Sequence, residues 1–171
     1  MHVADELRYQ AAPEAVFEML CDREFQERKC RATGALEFTV EVVRHADGGA
    51  TISTERQLPT DTFPDFVRSF VGERVTLVEV DTWAPAGPDG DRSGALSLEI
   101  AGTPVQLKAT LRLAAEGTGQ RRAGTVQVID GELKVRVPLI GGKIEKAAEP
   151  AVRMAIRAEQ RTGTEWLAGS R

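Results

Sequence analysis

Between Leu36 and Val137 the chain reads as a succession of short alternating apolar–polar runs, and after it comes one long helical segment. That order constrains the fold more than any other feature. Leu36, Phe38, Val40 and Val42 alternate with Glu37, Thr39 and Glu41, the period of a strand with one wet face. Asp47-Gly48-Gly49 is a turn signal, and Ile52, Thr54 and Leu58 continue on a return strand. Arg74 to Trp83 reads as a strand, followed by the turn-rich Ala84 to Ser93. Leu96, Leu98 and Ile100 alternate, Gly102-Thr103-Pro104 turns the chain, and Val105, Leu107, Ala109, Leu111 and Leu113 alternate again. Glu116 to Arg122 is a polar loop, and the last strand runs from about Thr125 to Val137, with a bulge expected at Asp130-Gly131.

Hairpin succession gives an antiparallel sheet, and a sheet must bury one face against something. The segment after the breaker Pro138-Leu139-Ile140-Gly141-Gly142, about Lys143 to Trp166, is the one element long enough. At 1.5 Å per residue it spans roughly 36 Å, with Pro150 as its flaw. Ahead of the hairpins lie a short strand, His2 to Tyr9, a helix opened by Ala12-Pro13-Glu14, and a charged helix over Asp22 to Arg31 that stops at Gly34. Phe63, Phe66, Val67 and Phe70 fall in a short helical piece that ends at Gly72. The expected class is α+β: a curved antiparallel sheet of about six to seven strands around a long C-terminal helix, as one domain over residues 1–171.

Composition narrows the partners. A net charge of −4 and the absence of any basic run longer than a pair such as Arg121-Arg122 argue against nucleic acid. No stretch approaches the roughly 18 continuous apolar residues of a membrane span, so integral membrane association is not expected. No signal peptide is visible at the N-terminus, which points to the cytoplasm. Cys21 and Cys30 would lie on opposite faces of a helix and read as small apolar side chains rather than a disulfide.

Ala12-Pro13-Glu14-Ala15-Val16-Phe17-Glu18-Met19-Leu20-Cys21-Asp22, the central hairpins, the long final helix and the junction Pro138 to Glu145 together resemble the START / polyketide-cyclase-like superfamily, and within it an uncharacterised, mostly actinobacterial branch. The resemblance covers nearly the whole chain. It implies the helix-grip fold, with a cavity between sheet and last helix for a lipid, polyketide or similar apolar ligand. That superfamily includes carriers, cyclases and interaction modules, so function must be argued from the site.

The inner face of the last helix has two candidates, Ile144, Ala148, Ala151 and Ala155, or Ala147, Ala151, Met154 and Ala158. Either is rich in alanine, which suits close dry packing or an open ligand space. The first set joins Phe38, Val40, Leu98 and Leu107 as expected ligand-lining residues. Phe66 and Phe70 read as a satellite core or as a gate at the cavity mouth. Arg56 is in phase with Ile52 and Thr54 and is the best polar candidate for the pocket, though a solvated Arg would fit the same pattern. Glu79 and Asp81 lie in a strand with ambiguous phase, apolar on both sides. His2 and His45 read as surface residues. No nucleophile elbow, zinc spacing or phosphate-cradling loop is present, so no cofactor and no metal is expected. The chain therefore reads as a carrier or sensor of an apolar small molecule, monomeric or a weak homodimer, leaning away from catalysis. The alternatives are an aromatase/cyclase-type enzyme and a filled-core protein-interaction module.

Overall fold

A computed structural model describes residues 1–117 and 124–169. The elements are β1 (His2–Tyr9), α1 (Pro13–Leu20), α2 (Arg23–Ala32), β2 (Glu37–Arg44), β3 (Ala50–Pro59), α3 (Asp65–Val71), β4 (Arg74–Trp83), β5 (Arg92–Ile100), β6 (Val105–Glu116), β7 (Gly124–Val135) and α4 (Gly141–Leu167). Residues 118–123 of the expected polar loop lie outside the described residues.

Seven strands form one antiparallel sheet in the order β1-β7-β6-β5-β4-β3-β2. From β2 to β7 strands consecutive in sequence are neighbours in the sheet, and the link from β3 to β4 contains α3. The last strand returns beside the first and brings the two ends of the fold together. This is the α+β arrangement that the hairpin run and the long last helix require, and α4 crosses the concave face of the sheet.

Local signals explain the helix ends. Pro13 starts α1, where its missing N–H costs no hydrogen bond. The Asp22 carboxylate caps α2 by accepting from the Glu24 and Phe25 backbone N–H groups at 2.8 and 3.4 Å. α4 is assigned continuously through Pro150, which is exposed.

Register fixes what the concave face presents. One row across it is Val40, Thr54, Glu79, Leu98, Leu107 and Leu133. The next is Val42, Ile52, Asp81, Leu96, Ala109 and Gly131. Side chains alternate between faces along a strand, so Arg56, Leu77 and Ile100 share that concave side. The β6–β7 ladder runs unbroken from Val105↔Val135 to Glu116↔Gly124, so the bulge expected at Asp130-Gly131 is absent. Gly131 serves close approach instead. A Cβ there would collide with the Lys108 carbonyl and stand 2.5 Å from the Ala109 Cα.

Two apolar clusters lie on the concave face of the sheet. The upper one joins the buried residues Leu7, Tyr9, Phe17, Phe25, Trp83, Leu113, Ile129 and Trp166. Phe25 meets Trp166 edge-on with centroids 5.8 Å apart, which fastens α2 to the end of α4. Gly163 lets α4 approach Tyr9, whose ring would stand 2.7 Å from an added Cβ. The lower cluster joins Val67 of α3, Ile144 of α4 and Val105, Leu107, Leu133 and Val135 of the sheet.

Gly131→Ala should destabilise the protein by about 1–3 kcal/mol, since the collision is with backbone. Gly142→Ala, where an added Cβ meets nothing within 4 Å, should change stability by less than about 0.5 kcal/mol. Urea unfolding midpoints measure the difference.

Candidate functional site

Five charged side chains meet on the β3–β4 part of the concave face. Lys29 comes from α2, Arg56 from β3, Glu79 and Asp81 from β4, and Glu159 from α4. Lys29 and Arg56 are each 3% exposed and Asp81 is 9% exposed. The Lys29 ammonium donates to Glu79 Oε1 at 2.9 Å and to Glu159 Oε2 at 3.3 Å. Arg56 pairs with the other oxygen of Glu79 and donates to Thr33 Oγ1 at 3.3 Å. Gln127 of β7 donates to Glu159 Oε1 at 3.0 Å and extends the network across the sheet.

These contacts decide the charges. Burial alone would push the Lys29 ammonium towards neutrality, but Glu159, Glu79 and Asp81 hold it charged, above its ordinary range. Burial would likewise raise Glu79, yet Arg56 and Lys29 outweigh it and bring its pKa down to about 2. Asp81 goes the other way. Burial, and then the neighbouring Glu79 carboxylate, raise it well above the usual aspartate value. Three carboxyl groups face two cations, and Asp81 is the one whose protonated form the burial and the neighbouring carboxylate favour.

Some polar atoms of the cluster have no hydrogen-bond partner among the described residues: Thr54 Oγ1, Asp81 Oδ1, Gln127 Oε1 and Arg56 Nε. Buried polar groups are normally paired, so these oxygens mark a place where a water or a ligand atom would be held. Trp83, 1% exposed, also lacks a partner for its indole N–H.

The apolar part of the site lies beside this cluster. Leu77 on β4 and Leu96, Leu98 and Ile100 on β5 face the concave side and are only half-buried, whereas Leu107 and Ala109 on β6 are buried. Across from them stand Phe63, Phe70 and Val71 at α3 and Ala147, Ala148, Val152 and Ile156 on α4, all half-buried. α4 packs closest on β1, β7, α1 and α2, and so stands away from the middle strands.

Of the residues expected to line a pocket, Phe70, Leu98, Leu107, Ile144 and Ala148 meet in the lower cluster. Val40 and Arg56 are buried in adjacent rows of the concave face. Phe38 pairs with Arg56 across the strands and lies half-buried, 5.1 Å from the Arg31 guanidinium. Ala151 and Ala155 are half-buried outside that cluster, and Phe66 is 46% exposed on α3. The second candidate face of α4 is corrected at Met154, which is 60% exposed; Val152 and Ile156 pack inward instead. Arg56 proves to be a buried, paired arginine rather than a solvated one. Lys29 was not among the expected residues, and only pairing with β3 gives Glu79 and Asp81 their phase.

A separate surface cleft of about 390 Å³ lies at the other end of the molecule, among Glu18, Met19, Asp22, Arg44, Trp166 and Leu167. The bidentate Arg44–Glu18 pair, at 2.7 and 2.9 Å, occupies its rim. Among the described residues, no group of three or more His, Cys, Asp or Glu is placed to hold a metal, and no helix is long and apolar enough to cross a membrane.

The sheet, the two short N-terminal helices and the spanning α4 make a helix-grip fold. Solved structures share this fold. The chain aligns over its full length with TTHA0849 from Thermus thermophilus, at a TM-score of 0.58, 17% identity and 100% coverage of both chains. With the Zhui aromatase/cyclase from a Streptomyces species the TM-score is 0.55 at 13% identity, covering 98% of this chain and 95% of that one. With a START superfamily protein from Mycobacterium smegmatis it is 0.51 at 16% identity, covering 97% and 98%. Residues 5–167 match the family described as a protein of unknown function (DUF2505), and the chain belongs to that family. The uncharacterized protein Rv0481c of Mycobacterium tuberculosis is 25% identical over 166 residues, covering 93% of this chain and 92% of the relative.

Lys29→Met should destabilise the fold by about 3–5 kcal/mol, because Glu79 and Glu159 would lose a shared buried partner. The two carboxyls of β4 predict opposite pH trends. Glu79, lowered in the fold, contributes stability above its ordinary pKa of 4.5 that is lost as pH falls towards about 2. Asp81, raised in the fold, contributes stability below 3.8 that is lost as pH rises through its folded value. Asp81→Asn, which mimics the protonated acid, should therefore gain on the wild type as pH rises above about 4. The gap should widen by up to about 1.4 kcal/mol per pH unit before levelling off. Urea titrations across pH measure it.

Proposed function

We propose that the protein binds an apolar small molecule on the half-covered floor formed by Leu77, Leu96, Leu98 and Ile100, beneath α3 and the first half of α4. The observation that supports this most is the uneven burial across β5 and β6. Leucines at the centre of a concave sheet are left half-buried although a 27-residue helix crosses that face. Alanines at positions 147, 148, 151 and 155 keep the helix side of the space shallow. Covering about 300 Å² of apolar surface would supply roughly 7 kcal/mol before the cost of ordering the ligand. Carriers and sensors need nothing more than this. A cytoplasmic setting suits the two buried free thiols, Cys21 and Cys30.

One observation favours a second reading, an enzyme of the aromatase/cyclase kind. Asp81 is a buried acid next to the floor whose pKa is raised by burial and then by the Glu79 carboxylate, and an acid so placed can donate a proton to a bound substrate. Under that reading Asp81→Asn retains binding and loses turnover.

Leu98→Trp would fill the floor. Titrated with N-phenyl-1-naphthylamine, the wild type should enhance the probe's fluorescence, and Leu98→Trp should weaken binding by at least about tenfold, or ~1.4 kcal/mol. Val43→Trp, at an exposed position on β2, should leave it unchanged. Equal binding by wild type and Leu98→Trp would place the probe elsewhere and remove the proposal.

A further inference from the structure

We propose that Asp81 and Thr54 form a subsite for the ammonium group of a ligand whose remaining body is apolar. The inference deepens the apolar-binding reading and rests on it.

Two independent observations carry it. The first is charge balance. Lys29 and Arg56 supply two positive charges, and Glu79, Glu159 and Asp81 supply three carboxyl groups. One positive charge is missing from the buried set. A proton on Asp81 makes up the difference in the free protein, and a monocation from a ligand can take its place. The groups packed around Asp81 come from every side: Lys29 on α2, Arg56 on β3, Glu79 on its own strand and Glu159 on α4, while its β5 neighbour is the apolar Leu96.

The second is the set of unpaired atoms. Asp81 Oδ1 and Thr54 Oγ1 face the concave side without a hydrogen-bond partner, on residues 9% and 2% exposed. Both can accept. Gln127 Oε1, on the far side of Glu159, is a third unpaired acceptor. With acceptor oxygens unpaired on Asp81 and Thr54 and one positive charge too few, the site matches an ammonium, which offers three N–H donors and one charge, while the unpaired Arg56 Nε–H adds a donor but no further charge. A carboxylate would add a fourth acidic group to a set already short of positive charge, and an alcohol would restore hydrogen bonds without restoring charge. Asp81 stands at the edge of the floor, since its cross-strand partner is the half-buried Leu96. A chain lying over Leu96, Leu98 and Ile100 can therefore end at Asp81.

Binding of an ammonium displaces the Asp81 proton to solvent, and the ligand keeps its own. Affinity for the cation then rises with pH until Asp81 is ionised in the free protein, while affinity for a neutral analogue does not.

The test is isothermal titration of the full chain with n-decylamine hydrochloride, n-decanol and sodium decanoate, each below its aggregation limit. The amine should bind about tenfold or more tightly than the alcohol, with the carboxylate weakest. Its advantage should grow with pH, and titrations in buffers of different ionisation enthalpy should show proton release. Asp81→Asn should erase the preference for the amine over the alcohol, and Thr54→Val should reduce it. Equal affinities for amine and alcohol, or a preference that survives Asp81→Asn, would overturn the subsite and leave the apolar floor standing, with buried water on the unpaired oxygens. Failure of all three compounds to bind would overturn both. Because the comparison of three ligands needs only the wild type, it decides the question even if a variant does not fold.

Discussion

The ion pairs of Lys29 with Glu79 and Glu159 tie together three separate parts of the molecule: α2, the middle of the sheet and the second half of α4. Charge of this kind is expensive to bury, and an apolar set of similar volume would often be as stable or more so. Its effect here is positional. Lys29 is held from both sides, so α2 and α4 cannot slide past each other without stranding a charge. Phe25 against Trp166 secures the same two helices on the apolar side. The upper concave space is thereby closed.

Closure above leaves the lower half different in kind. The same helix that is locked at Glu159, Gly163 and Trp166 continues past the lower cluster with alanines at positions 147, 148, 151 and 155. Ile144 and Val67 close the far end, while Leu96, Leu98 and Ile100 between them stay half-covered. The apolar floor and the polar cluster share the adjoining positions Glu79–Leu98 and Asp81–Leu96 on β4 and β5. One face of one strand pair thus carries both a surface that repels water and a group that must be satisfied by a polar partner. That adjacency, more than either feature alone, gives the concave face its chemical character.

Much of the architecture was legible because period-2 alternation and turn residues are local signals. β4 matched its expected span, Arg74 to Trp83, and Arg56 was in phase with Ile52 and Thr54 on a strand with one clear apolar side. The charged site was less legible for identifiable reasons. β4 carries Val75 and Leu77 on one phase and Val78 and Val80 on the other, so its own pattern could not say where Glu79 and Asp81 point. The pairing Thr54↔Glu79 settles it, and pairing is a non-local fact. Lys29 gave no signal at all, since α2 is charged along most of its length and the buried lysine differs from its neighbours only by facing Glu79 and Glu159. The expected bulge failed because Gly131 answers to the close approach of β6 rather than to a break in the ladder.

The central claim is that a ligand rests on the lower floor and not in the closed upper core or on the outer surface. Methyl-labelled NMR of the full chain, with n-decylamine added stepwise, reads this residue by residue. Saturable shifts are expected at Leu96, Leu98, Ile100 and Val152, with the methyls of Leu7, Leu113 and Ile129 unmoved. Shifts confined to the exposed Leu36, Val43 and Leu139, or to the upper core, would contradict it.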